Sequence, residues 1–143
     1  MNQIQNTWLL FAAALSAIAA LLHVAIIFGG ASWYQFFGAG KKFAQASKDG
    51  KIWHHFVTLG IAGVLGLWSA YALSGAGVLP RFPLLGGALV AITAIYLLRG
   101  LIVLPMLLVV RSKVTPFIVW SSLVCLGFGF VHLMGVVRAW QLL

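Results

Sequence analysis

Residues 84–110 read LLGGALVAITAIYLLRGLIVLPMLLVV. Apart from Arg99 this run is uncharged, and it is longer than the roughly 20 apolar residues that a helix needs to cross a bilayer. Apolar and polar residues do not alternate in it, so it is not a barrel strand. Three more stretches read the same way, at residues 8–28, 55–73 and 117–140. The expectation is an all-α fold, a four-helix transmembrane bundle, antiparallel in sequence order, with 1–143 forming a single integral membrane domain.

Composition agrees with this reading. Hydrophobic residues make up 63% of the chain, charged residues 7%, and the mean hydropathy is +1.09. Soluble domains carry about 25% charge, so a soluble domain and a disordered chain are both excluded. Four spans and their loops use the whole length, which leaves no room for a soluble catalytic domain. The segment behind MNQIQNTW is too long for a signal h-region and reads as a retained first span.

The formal net charge is +8, with Asp49 the sole acid. In a soluble protein this balance would suggest nucleic acid. Here no nucleic-acid partner is expected, because basic residues in loops orient membrane proteins and no aromatic and basic surface long enough to hold nucleic acid remains outside the spans. Loops one and three carry Lys41, Lys42, Lys48, Lys51, Arg111 and Lys113, whereas the other side carries Arg81 and Arg138. The positive-inside rule then places loops one and three in the cytoplasm and both termini outside. Cys125, the lone cysteine, lies inside an apolar run and reads as a small hydrophobe.

Breaks between spans have local causes. Gly29-Gly30 ends the first span and Ser74-Gly75-Ala76-Gly77 the second. Pro80 and Pro83 bracket Arg81 in a turn, and Pro116 suits the first turn of the fourth helix. Trp8, Trp33, Trp53 and Trp140 fall at span ends, as an aromatic belt would. Gly60, Gly63 and Gly66 in the second span and Gly127, Gly129 and Gly135 in the fourth suit close packing, within the bundle or across a homo-oligomer face.

Arg99 is the sharpest feature. It lies roughly 22 Å along the helix from Leu84 and 18 Å from Arg111, near mid-membrane. A guanidinium stays charged there, and insertion costs about 2.5–3.5 kcal/mol on translocon scales. No intramembrane acid is available to pair with it. Its partner must be a carbonyl, a hydroxyl, water, a lipid phosphate, a ligand anion or an acid on another protein. Tyr96 lies one turn earlier, and helical side chains lean toward the N-terminus. Arg99 is therefore expected to lean toward Tyr96 and loop two. Pro105 could kink the helix and free a carbonyl nearby.

The histidines suggest weaker alternatives. His23 and His132 lie at depths that differ by roughly 8–12 Å, which disfavours joint ligation of one haem. His54 and His55 open the second span. One of them with His23 gives only two metal ligands, and zinc takes three or four. No metal site is assigned and the cofactor is left unknown. In the first loop, WYQFFGAG is aromatic and KKFAQASKDGK is basic. This segment lies at the headgroups, or forms a lid in which Trp33 and Tyr34 touch a ligand. Without a carboxylate orienter or metal ligands, a hydrolytic site cannot be assembled, and the reading leans away from an enzyme.

Two short segments carry a resemblance: GAGKKFA after the first span and ALSGAGVLPRFPLL between the second and third. With the four-span layout they resemble small bacterial inner-membrane proteins and are similar to the DoxX-like group. That resemblance implies residence in the bacterial inner membrane and a link to quinone-dependent redox assemblies. It carries over no catalytic residue.

Together these readings define a small polytopic membrane protein that binds an anionic or carbonyl-bearing amphiphile, a lipid headgroup or a quinone, and that could transport it. Arg99, Tyr96, His23 and His55 are the candidate ligand residues inside, with Trp33 and Tyr34 over the mouth. The alternative is a non-catalytic subunit of a larger membrane complex, with Arg99 meeting a partner's acid. Haem or metal binding by the histidines is the third reading.

Overall fold

A computed structural model describes residues 6–141. The fold is all-α, a four-helix transmembrane bundle. Its helices are α1 (Thr7–Phe36), α2 (Lys41–Lys48), α3 (Trp53–Gly75), α4 (Leu85–Leu101), α5 (Val103–Val109) and, after a 3-10 turn at Arg111–Lys113, α6 (Pro116–Ala139). Thr7–Phe36, Trp53–Gly75, Leu85–Val109 and Pro116–Ala139 are each long and apolar enough to cross a membrane.

Local chemistry sets the ends. The Asn6 side chain accepts from Leu9 N at 3.2 Å and caps α1. Gly30 adopts φ 66°, ψ −152°, a conformation suited to glycine, so α1 kinks there and continues to Phe36. The expected end of the first span at 28 is therefore a bend. Loop one contains α2. The third span is divided at Ile102 because Pro105 has no N–H to offer the Leu101 carbonyl. Thr115 caps α6 by accepting from Ile118 N at 3.3 Å, with Pro116 in its first turn. In loop two, the buried Ser74 hydroxyl donates to Pro80 O at 2.7 Å and accepts from Phe82 N at 3.0 Å, which fixes the turn.

Packing divides the chain into two compact units. One comprises Met1–Ser16 and Trp68–Leu143, the other Ala17–Leu67. The first has a core of Leu9, Ala12, Ala13, Ala72, Ala76, Leu85, Leu89, Val136 and Ala139. In lipid, helices associate through close van der Waals contact rather than by expelling water, so small residues decide where they meet. Leu9, 0% exposed, is such a contact: a methyl added at Gly75 or at Gly135 would collide with its side chain. Leu126 packs on Gly100 and Leu97 on Gly129, which sets the antiparallel register of α4 against α6. Ser69 adds a polar link by donating to Ala13 O at 2.8 Å.

The second unit has a smaller core of Ile26, Tyr34 and Ala44, with Phe37 and Phe43 packed against it. The glycine expectation is corrected in part. Among the described residues a methyl at Gly60, Gly63, Gly66 or Gly127 would meet nothing within 4 Å, so these four do not mark close helix packing within this chain.

Candidate functional site

In the first unit, Arg99 projects from α4 and is exposed. Its Nη1 donates to Ser122 Oγ at 3.3 Å and its Nη2 to Ser121 Oγ at 3.1 Å. The Ser121 hydroxyl donates in turn to Ile118 O at 3.1 Å, so its lone pairs face the guanidinium. Both serines precede Leu126, the residue level with Gly100. The head of Arg99 is thus drawn toward the start of α6, the loop-three edge.

This corrects the expected lean toward Tyr96 and loop two. Arg99 lies closer to Val109 than to Leu85, and the accessible hydroxyls are on that side. The Leu101 carbonyl released by Pro105 is not among its hydrogen-bond partners. A guanidinium carries five N–H donors, and among the described residues two bonds to neutral hydroxyls engage it. The sole side-chain acid, Asp49, accepts from Gln45 at 2.7 Å and pairs with Lys51 at 3.8 Å. Arg99 is therefore an exposed cation within a span, held among the described residues by two hydroxyl dipoles and left without a counter-charge from any side-chain carboxylate of this chain.

Tyr96 has other partners. It is 5% exposed, and its hydroxyl shares a 3.0 Å hydrogen bond with Ser16. Its ring meets Trp68 at 5.0 Å, Phe128 at 5.5 Å and His132 at 5.1 Å. Trp68 thus belongs to a ring cluster around Tyr96 and not to a span end. His132 is 0% exposed, and its Nδ1 lies 2.8 Å from Phe128 O. A carbonyl only accepts, so Nδ1 carries the proton and the lone pair is on Nε2. That atom is buried without a partner among the described residues.

Four of the candidates lie in the second unit. His23 donates through Nδ1 to Ala19 O on its own helix, at 2.8 Å. Trp33, 41% exposed, packs against Phe37 and sits on Gly29, where a methyl would collide with the indole. Tyr34 and His55 do come together. The Tyr34 hydroxyl lies 3.1 Å from Thr58 Oγ1 and 3.3 Å from His55 Nδ1, while Thr58 donates to His54 O at 2.9 Å. One proton arrangement satisfies all three bonds: His55 Nδ1–H to Tyr34, Tyr34 O–H to Thr58, and Thr58 O–H to the carbonyl.

Tyr34 is 1% exposed, so the lid assignment is corrected. It is the inner post of loop one rather than its outer cover. His54, 0% exposed, stands beside it in a ring cluster with Phe43, Trp53 and His55. Removing the Tyr34 hydroxyl would strand buried polar groups, at about 1–3 kcal/mol. Tyr34→Phe should therefore speed amide exchange across 34–58 and leave α4 and α6 unchanged. Equal exchange in both proteins would show that the chain of hydroxyls carries no load.

The partners that the sequence reading missed are Ser121, Ser122, Ser16 and Thr58. The adjacent serines in an otherwise apolar span were the available signal. Among the described residues no group of three or more His, Cys, Asp or Glu side chains is placed to hold a metal ion.

Fold and site together define a polytopic α-helical membrane protein. In comparisons with known proteins, no family model, curated protein or solved structure matches the chain.

Proposed function

We propose that this protein binds an anionic amphiphile at the face of α4 and α6 where Arg99 meets Ser121 and Ser122. The observation that carries this reading is an exposed guanidinium inside a span, held among the described residues by two neutral hydroxyls. Charge-assisted hydrogen bonds are roughly twice as strong as neutral ones. A phosphate therefore gains more at Arg99 than a carbonyl does, and a phospholipid headgroup is the favoured ligand ahead of a quinone. Arg99 holds the charge, and Ser121 keeps the guanidinium at the loop-three side. Binding, or passage of the lipid along this face, needs no catalytic group. The six-to-two distribution of cations supports an orientation with loops one and three cytoplasmic, and the resemblance of the loop segments suggests a bacterial inner membrane.

The test is native mass spectrometry of gently solubilised protein, wild type beside Arg99→Leu and Arg99→Lys. Wild type should carry lipid adducts, Arg99→Leu should lose them, and Arg99→Lys should retain part. Lipid-free protein in all three samples would reject the reading. Capture of a partner protein in place of lipid, lost in Arg99→Leu, would make Arg99 the contact to an acid on another subunit.

A further inference from the structure

We infer that the hollow between α2 and the start of α3 is a second site, specific for the phosphate headgroup of an anionic membrane lipid. It lies in the second unit and is independent of Arg99. Lys42, Gln45, Ala46, Asp49, Lys51 and Trp53 line an open hollow of about 290 Å³. Lys42 and Lys51 are both exposed. Asp49 offsets one positive charge, through its 3.8 Å pair with Lys51, and so the hollow keeps a net positive charge.

The backbone builds this arrangement. Helix α2 ends in a Schellman turn. Gly50 adopts φ 67° and donates to Ser47 O at 3.3 Å, and Lys51 N donates to Ala46 O at 2.9 Å. That turn folds Lys51 back onto α2, beside Gln45 and Lys42. The other face of α2 is anchored. Ala44 is buried, and the Phe43 ring meets Trp53 at 5.0 Å and Tyr34 at 5.9 Å. Lys42 is thus presented by a fixed helix and Lys51 by the hydrogen-bonded turn that closes it.

Membrane position selects the ligand. Helix α2 follows one span and precedes the next, so the segment lies at the bilayer surface. Trp53 is 43% exposed at the head of its span, at the level indole rings take among headgroups. Lysines near an anionic surface gain binding of about fivefold each. A phosphodiester at that level meets the Lys42 ammonium, the Lys51 ammonium in competition with Asp49, and the Trp53 ring.

The experiment is hydrogen exchange of the full chain in nanodiscs of phosphatidylcholine, with and without phosphatidylglycerol. In wild type, phosphatidylglycerol should slow exchange across 41–53 by about fivefold for each lysine engaged. Lys42→Gln with Lys51→Gln should remove that protection, whereas Lys41→Gln with Lys48→Gln should retain most of it. Arg99→Leu should retain all of it. The inference fails if phosphatidylglycerol gives no protection in wild type, or if both lysine pairs matter equally, which is the signature of a diffuse surface field. It also fails if inorganic phosphate protects the segment in phosphatidylcholine alone, since the ligand would then be a free anion.

Discussion

Arg99→Leu should favour membrane insertion of the segment 85–109 by about 3–4 kcal/mol, the gap between arginine and leucine near the centre of a span on the biological scale. The same substitution should weaken packing of α4 on α6 far less. Interhelical hydrogen bonds in lipid average about 0.6 kcal/mol, and Arg99 makes two. The unfolded reference state also keeps its helices inserted, so the insertion penalty is absent from the folding equilibrium. A glycosylation-mapped insertion assay reads the first quantity, and denaturant unfolding in micelles reads the second. The expected variant is easier to insert, about 1 kcal/mol looser and empty of lipid. A loss of bundle stability above about 3 kcal/mol, the range for breaking a buried charged contact, would make Arg99 a brace instead of a binding group.

This separation explains why Arg99 stood out in the sequence while its surroundings did not. A charge in an apolar run is visible from composition, and so are the spans, because length and hydropathy need no tertiary information. The direction of the side chain is different. The rule that helical side chains lean toward the N-terminus pointed to Tyr96, but the guanidinium follows its acceptors, Ser121 and Ser122 on another helix. Tyr96 likewise finds Ser16, far away in sequence. Loop one shows the same limit. Its aromatic and basic character was legible, but the burial of Tyr34 depends on Thr58 and His55, which only the folded chain brings to it. Glycine spacing was the least informative signal. At Gly60, Gly63 and Gly66 a methyl would find open space among the described residues, while Gly100, next to the arginine, makes one of the closest approaches.

That approach yields the last prediction. A methyl added at Gly100 would lie 2.8 Å from Leu126 N, and at Gly129 it would lie 3.1 Å from Leu97 N. A side chain can rotate away from such a contact, but a backbone nitrogen inside a helix cannot, so α4 and α6 must separate. Overpacking of this kind costs about 1–3 kcal/mol. Gly100→Ala should therefore destabilise the bundle most and Gly129→Ala less. Gly127→Ala, on the same helix as Gly129 but open to its surroundings, should be neutral or slightly stabilising, since alanine is the better helix former by about 1 kcal/mol. Unfolding of the three variants in one detergent gives the ranking. Separation of the helices at Gly100 would also carry Arg99 away from Ser121 and Ser122, so Gly100→Ala should lose bound lipid together with stability. If Gly127→Ala proved the most damaging, α4 and α6 would not meet at this register, and the pairing of Arg99 with the two serines would fall with it.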